Sequence, residues 1–451
     1  MGTDTVRETA TGATALADRK REQRGWYFYD WACSVYSTSV LTVFLGPYLT
    51  SVAKAAADAD GFVHPLGIPV RAGSFFAYTV SLSVILSIFV MPLAGAAADR
   101  TGRKKPLLAI AAYVGAAATT GMFFLDGERY LLGGALLVVA NSALAVSMVL
   151  YNSYLPQIAS PEERDAVSSR GWAFGYASGA LVLVANLVLY SSHDTFGVSE
   201  ATAVRICLAS AGVWWGAFTL VPLRRLRDRR STRAPGGATP GLRQLTATVK
   251  DMRRHPLTLS FLLAYLVYND GVQTVISQAS VYGSEELRLG QSTLIVAVLL
   301  VQVLAVAGAL AMGRLARTYG AKRTILGSLV AWTVTIGAGY FLPAKAPTWF
   351  FVLAVGIGLV LGGTQALSRS LFSHLVPAGK EAEYFSAYEM SDRGMSWLGP
   401  LVFGLAYQLT GSYRDAIVSL VAFFLIGFAL LARVPVRQAV RDAGNSVPTR
   451  I

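Results

Sequence analysis

The sequence predicts an all-α polytopic membrane protein of 12 transmembrane helices arranged as two pseudo-symmetric six-helix bundles. Three observations predict it: a composition unsuited to water, twelve apolar stretches of bilayer length, and cations confined to alternate loops. Of 451 residues, 54% are apolar and 14% charged, with a mean hydropathy of +0.49, whereas a soluble chain keeps about a quarter of its residues charged. A helix crossing a hydrocarbon core of about 30 Å needs roughly 20 mostly apolar residues, because no water is there to satisfy exposed backbone groups. Such stretches begin near Trp26, Val70, Pro106, Tyr130, Ser168, Thr202, Leu257, Leu289, Arg323, Thr348, Glu389 and Asp415, and the last ends near Arg433.

Taken in order, residues 1–25 are polar, lack an apolar signal core, and read as a cytoplasmic tail. Residues 26–222 hold six spans and residues 257–432 hold six more, with a tail at 433–451. Between them, residues 223–256 are Arg-rich and carry Pro235, Gly236, Gly237, Pro240 and Gly241, the composition of a flexible connector. When loops are assigned alternately to two sides, one side receives 30 Lys and Arg and the other 7 of the 39 in the chain. Retention of positive loops in the cytoplasm then predicts a plasma-membrane protein with both termini cytoplasmic. The net charge of +13 is thereby topological and facing lipid headgroups, and no nucleic-acid partner is expected. Cys33 and Cys207 both lie in apolar runs, so neither a disulfide framework nor a metal cluster is expected.

The halves repeat. Gly95 and Gly102 recur as Gly313 and Gly320 at an offset of 218, Pro156 as Pro377 at 221, and Arg170-Gly171 as Arg393-Gly394 at 223. The run Gly95-Ala-Ala-Ala-Asp99-Arg100-Thr-Gly102-Arg103-Lys104 resembles the loop signature of the major facilitator superfamily, which implies that family's fold across nearly the whole chain. Four segments further resemble its vacuole-effluxer-like branch: Tyr29-Asp30-Trp31-Ala32-Cys33-Ser34, Tyr151-Asn152-Ser153-Tyr154-Leu155-Pro156, Ser169-Arg170-Gly171-Trp172-Ala173-Phe174-Gly175-Tyr176, and Tyr268-Asn269-Asp270-Gly271-Val272-Gln273. Fungal members of that branch are linked to amino-acid efflux from the vacuole. The resemblance therefore implies transport of a small polar solute, an amino acid or similar metabolite. Cys33 stands where the branch more usually has Asn.

In the loop signature Gly102 suits a left-handed turn, Arg103 and Lys104 hold the loop at the surface, and Asp99 at a helix end can pair with cations or with a facing helix N-terminus. The resemblance implies that Gly95, Asp99, Arg100, Gly102, Arg103 and Lys104 latch one conformation; topology alone is the competing reading. Arg317 replaces the acid in the second copy, so the latch is expected to be asymmetric. Arg170, Glu389, Asp392 and Arg393 fall at the expected cytoplasmic starts of the fifth and eleventh spans and read as gate ion pairs.

Ionisable groups inside a bilayer cost about 2.5–3.5 kcal/mol each on insertion scales, so each is a functional candidate. Asp270 lies roughly 20 Å into the seventh span and, with Asn269 and Gln273, forms a polar stripe expected to line a wet cavity between the halves. There its carboxyl can exchange a proton as access alternates. Asp30 and Ser34 mark the equivalent first span, Asp30 lying only about 6 Å in. Gln365 and Arg369 share a face of the tenth, Arg369 either holding a substrate carboxylate or pairing with an aspartate.

The function expected is a secondary active carrier working by alternating access, with protons as the coupling ion, the lipid bilayer as its surroundings and no cofactor or metal; a monomer suffices. A multidrug/proton antiporter is the first alternative, though the Gly-Pro step such proteins carry in the fifth span is Gly179-Ala180 here. A membrane-embedded enzyme is the second, weakened because His64, His193, His255 and His374 all fall at loops or span ends; with no Gly-rich phosphate loop ending in Lys-Ser or Lys-Thr, a primary pump is not expected.

Overall fold

The computed structural model describes residues 2–229, 250–393, 398–410 and 412–451. Helices occupy the described parts of all twelve expected stretches. Spans 1 to 6 are Gly2–Val35 continued through Tyr36–Phe44 and Leu45–Ala55, then Phe75–Thr101, Lys104–Gly121, Tyr130–Asn152, Arg164–Ser191 and Glu200–Arg225. Spans 7 to 12 are Pro256–Val281, Gln291–Tyr319, Ala321–Gly339, Pro347–His374, the pair Glu381–Arg393 and Leu398–Thr410, and the pair Tyr413–Ser419 and Val421–Arg433. Ten of the described helices are long and apolar enough to cross a bilayer. The other two spans are the ninth, of 19 residues, and the eleventh, whose two segments flank residues 394–397.

The first helix departs from expectation. It starts at Gly2, well ahead of the apolar stretch that begins near Trp26, and runs helically to Ala55. Its polar turns contain no proline and are rich in good helix formers, so nothing stops the helix at the expected boundary. Ion pairs from Arg227 to Asp18 (2.9 Å) and Arg229 to Glu22 (2.7 Å) hold this extension against the end of span 6. Within span 1, Tyr36–Phe44 winds as a wider π-helix. Most of the Arg-rich connector, residues 230–249, lies outside the described residues.

Buried apolar side chains form two cores, one drawn from Trp26 to Leu226 and one from Met252 to Val440, as two bundles require. Ala382 of span 11 is the exception, belonging to the first core. Chain alternation puts the termini and the loops after spans 2, 4, 6, 8 and 10 on one face, called here the basic face. On the opposite face Arg205 at the start of span 6 pairs with Asp126 of the loop after span 3, and Arg414 at the start of span 12 pairs with Glu286 and donates to Tyr340 O and Leu342 O. That face also carries a two-residue antiparallel ribbon, Phe62–Val63 against Val70–Arg71.

The internal repeat has a structural cause. Gly102 and Gly320 both turn the chain with positive φ, +63° and +87°. A Cβ on Gly95 would lie 2.5 Å from Ala382 O in span 11, and one on Gly313 would strike Ser169 in span 5. Each repeated glycine thus sits where one half receives a helix of the other: span 2 receives span 11, and span 8 receives span 5.

Replacing Gly102 by Ala forces a side chain into a left-handed turn, and Gly320→Ala adds both a conformation nearly confined to glycine and a clash with Ile451. Costs of about 1–3 kcal/mol follow. Detergent-solubilised Gly102→Ala should melt below the wild type and Gly320→Ala lower still, while Gly327→Ala, with open space around it in span 9, should not; equal melting of all three would contradict this account.

Candidate functional site

Between the two bundles lies a cavity of about 330 Å³ walled by spans 1, 4, 5, 7, 10 and 11. At its base the Arg369 guanidinium is 1% exposed and almost fully engaged. Nε donates to Ser168 Oγ (2.9 Å), Nη1 to Asp30 Oδ2 (3.2 Å) and Asn152 Oδ1 (3.3 Å), and Nη2 to Asp30 Oδ2 (3.3 Å) and Ser168 O (2.9 Å). Tyr151 OH donates to the same Asp30 oxygen at 2.6 Å. Trp26, stacked on Tyr151, lies 4.7 Å from the guanidinium carbon and Trp172 lies 5.3 Å from it, giving the cation two further aromatic faces. One residue of the second half is thereby bound to spans 1, 4 and 5 of the first. Gly171 permits this approach: a Cβ there would fall 2.6 Å from Asp30 Oδ2 and 3.0 Å from Arg369 Nη2.

The second wall is an amide and carboxylate chain. Gln365 Nε2 donates to Asn269 Oδ1 (2.8 Å), Asn269 Nδ2 to Asp392 Oδ1 (2.6 Å), and Tyr265 OH to the same Asp392 oxygen (2.9 Å). Across the halves, Asn152 Nδ2 donates to Glu389 Oε1 at 2.7 Å. Asp30, Ser34, Gln273, Gln365, Arg369, Glu389 and Asp392 all line the cavity, with Tyr176, Tyr265, Tyr388 and Trp172 supplying rings. Such a surface offers donors and acceptors to a solute small enough to fit, and no group of His, Cys, Asp and Glu among the described residues is placed to hold a metal.

Below the cavity the basic face is shut. Lys104 Nζ sits 3.3 Å from Asp99 Oδ1 and 3.2 Å from Glu381 Oε2, and Asp99 Oδ2 accepts from Glu383 N (2.9 Å) in the first turn of span 11. Arg164 Nη1 donates to Ser373 O (2.9 Å), Ser370 Oγ to Asp165 Oδ1 (2.6 Å), and Ser168 Oγ to Ala366 O (2.7 Å). Nearby, Asp251 pairs with Lys380 at 2.5 Å. Its burial acts upward on the carboxyl, but the Lys380 hydrogen bond and charge outweigh that and hold it below the usual carboxylate range. Towards the opposite face Gln302 Nε2 donates to Thr38 Oγ1 across the halves (3.1 Å).

Several expected residues occupy other places than expected. Asp30, expected only about 6 Å into its span, is 4% exposed and pairs with Arg369 at the base of the cavity. Glu389 and Asp392 sit about 12 and 16 Å into a helix that starts at Glu381 and line the cavity instead of the rim. The polar first turns of span 11 are buried against span 2, so apolar content alone starts that span too late. Arg170 is exposed and makes no ion pair among the described residues, since Ser168, Ser169 and Gly171 take the interior faces of its helix. Asp270 is 2% exposed but does not line the cavity. One residue along a helix is a turn of about 100°: Gln273 lines the cavity and Asn269 bonds to its lining residues Gln365 and Asp392, whereas Asp270 and Thr274 face span 11, where a Cβ on Gly399 would meet Thr274 Oγ1 and Asp270 O. Among the described residues no side chain bonds to the Asp270 carboxylate, and its nearby donor is the backbone N–H of Gly399.

In the loop signature, Gly95, Asp99, Gly102 and Lys104 take part in the closed face, Arg103 is exposed and Arg100 is half-buried. The side chain of Arg393, and Gly394 and Trp397 altogether, lie outside the described residues. Arg164, Asp165, Glu381 and Glu383 were missed because charged residues at expected loop positions read as solvated. Asn152 and Trp172 lay in the resembling segments, where their residue types alone assigned no partner.

The family described as vacuole effluxer Atg22-like matches residues 18–444. The uncharacterised MFS-type transporter YxiO of Bacillus subtilis is 29% identical over 434 residues, covering 95% of this chain and 98% of the relative. Autophagy-related protein 22 of Yarrowia lipolytica is 29% identical over 468 residues, covering 84% and 78%. Among solved structures, a variant of the E. coli fucose:proton symporter FucP matches with a TM-score of 0.69 at 12% identity over 92% of this chain and 97% of that one. The proton:xylose symporter XylE matches at 0.68 and 13% over 93% and 96%. At those identities the structures share the fold.

Breaking a buried ion pair by removing one partner leaves an uncompensated charge and costs about 3–5 kcal/mol. Arg369→Leu and Asp30→Leu should each strongly lower the melting temperature in detergent, and the double variant should recover much of the loss; additive losses in this double-mutant cycle would contradict a direct pairing.

Proposed function

The chain belongs to the vacuole effluxer Atg22-like family of major facilitator transporters, and from that premise we propose that it is a proton-coupled secondary carrier of a small polar solute, an amino acid or similar metabolite. The observation carrying this reading is a polar cavity between two bundles that is shut towards the basic face by contacts crossing from one half to the other. A solute that reaches the cavity from one side cannot leave on the other until those contacts part, which is alternating access. The bias of Lys and Arg supports placing the basic face and both termini in the cytoplasm, with the protein in the plasma membrane.

The cavity's amide, carboxylate and guanidinium groups suit a solute with both hydrogen-bond donors and acceptors. Proton coupling is assigned to Asp270. A carboxylate buried with no opposite charge or side-chain donor among the described residues is expensive, and protonation removes the charge; movement of span 7 against span 11 changes that burial. Gating is assigned to Gly95, Asp99, Gly102, Lys104, Glu381 and Arg164, which hold the closed face.

In proteoliposomes, the wild type should accumulate a labelled amino acid when an imposed pH gradient is present and exchange it without one. Asp270→Asn should keep exchange and lose gradient-driven accumulation; accumulation unchanged by the substitution would remove the proton role from this residue.

A further inference from the structure

Away from the junction of the halves, the second half carries an apolar groove of about 720 Å³ on its outer surface, between the end of span 9 and the start of span 10. Val334, Ala338, Phe341, Trp349, Val352 and Gly356 are among its walls, and Phe341 is 79% exposed. From Pro347, where span 10 starts, to Gly356 is nine residues, about 14 Å of helix and close to half of a hydrocarbon core of about 30 Å. The groove therefore runs from the rim of the opposite face through the depth of one leaflet. At its deep end the two spans touch, a Cβ on Gly356 falling 2.9 Å from Thr335 Cγ2.

Two cations stand at the rim in a conformation that L residues rarely adopt. Three non-glycine residues among those described have positive φ, and Arg288 (+54°) and Lys345 (+59°) are two of them. Glycine would relieve the crowding at both positions. Lys345 lies two residues past the groove residue Pro343, and its N–H donates to Leu287 O (2.8 Å), which sets it beside Arg288 of the loop between spans 7 and 8. Both residues are exposed, and neither pairs with an acid among the described residues. Arg414, the third cation of this corner, is already held by Glu286. Uncompensated positive charge is left beside an apolar slot of leaflet depth.

We infer that this groove binds an anionic phospholipid of the leaflet on the opposite face, an acyl chain lying between spans 9 and 10 and the phosphate held by Arg288 and Lys345. Phe341, Trp349 and Val352 need an apolar cover at a depth where lipid chains are the solvent. A phosphate accepts charge-assisted hydrogen bonds from both cations, and the Trp349 indole suits the headgroup boundary. A zwitterionic lipid with the same chains fills the groove equally well but brings its own cation to a corner that is already positive.

The probes are dioleoyl phosphatidylglycerol and dioleoyl phosphatidylcholine, added to the full chain after delipidation in an uncharged detergent and read by native mass spectrometry and thermal shift. One phosphatidylglycerol should be retained per chain and raise the melting temperature, with phosphatidylcholine weaker. A cation beside an anionic headgroup strengthens binding about fivefold, so Lys345→Gly and Arg288→Gly should each weaken phosphatidylglycerol by about that factor and bring the two lipids closer together. Because glycine suits the left-handed turn, neither variant should melt below the wild type without lipid, which separates lost binding from lost folding. Ala338→Trp, which fills the groove, should weaken both lipids, while Lys54→Gln, removing an exposed cation elsewhere on that face, should change neither. Equal retention of the two lipids by the wild type, or phosphatidylglycerol binding unchanged in the glycine variants, would overturn the inference. So would a loss in Lys54→Gln equal to that in Lys345→Gly, the mark of diffuse surface charge.

Discussion

One buried cation organises the centre of this protein. Arg369 enters from span 10 of the second half and finds nearly all its hydrogen-bond acceptors in the first: Asp30 on span 1, Asn152 on span 4 and Ser168 on span 5. A guanidinium without partners in a membrane interior is costly, so the halves are obliged to meet around it. That obligation sets other choices in turn. Position 171 must be glycine for the pair to close, Tyr151 directs its hydroxyl at Asp30, and Trp26 and Trp172 lay their rings against the cation. The cavity floor is therefore a junction between the two bundles as well as a surface for a solute.

The duplication that built the two bundles has been kept in backbone and abandoned in charge. Gly95 and Gly313 perform the same service, letting a helix of the other half approach, and Gly102 and Gly320 make the same turn. Their charged neighbours have diverged. Asp99 and Lys104 reach across to span 11, whereas Lys322 donates to Ala432 O and Val434 O within its own half. On the second seam the crossing contacts come instead from Arg164 and Asp165 at the start of span 5, which bind the end of span 10. The closed face is thus held by two chemically different seams.

The architecture was legible because bilayer length and cation bias are properties of whole segments, insensitive to single residues. Asp30, Arg369, Asn269, Gln273 and Gln365 were legible as polar groups too costly to face lipid. What sequence could not convey was angle and depth. Asp270 and Asn269 are adjacent in the chain but about 100° apart around the helix, and only packing decides which one reaches the residues that line the cavity. Glu389 and Asp392 were placed too near the surface because the start of span 11 is polar, and its burial against Gly95 of span 2 depends on a contact between distant parts of the chain. Arg164 was unreadable for the same reason: its partners, Ser373 and His374, are supplied by span 10.

The central claim is that the halves pivot about this junction, opening one face as the other closes. Pulsed electron–electron resonance between spin labels tests it directly, using the exposed sites Arg103 and Arg437 on the basic face and Glu128 and Thr348 on the opposite face, in a background lacking Cys33 and Cys207. The account predicts two distance populations for each pair, the longer basic-face distance appearing together with the shorter opposite-face distance as pH or solute is varied. A single distance at both faces, unchanged under every condition, would contradict it.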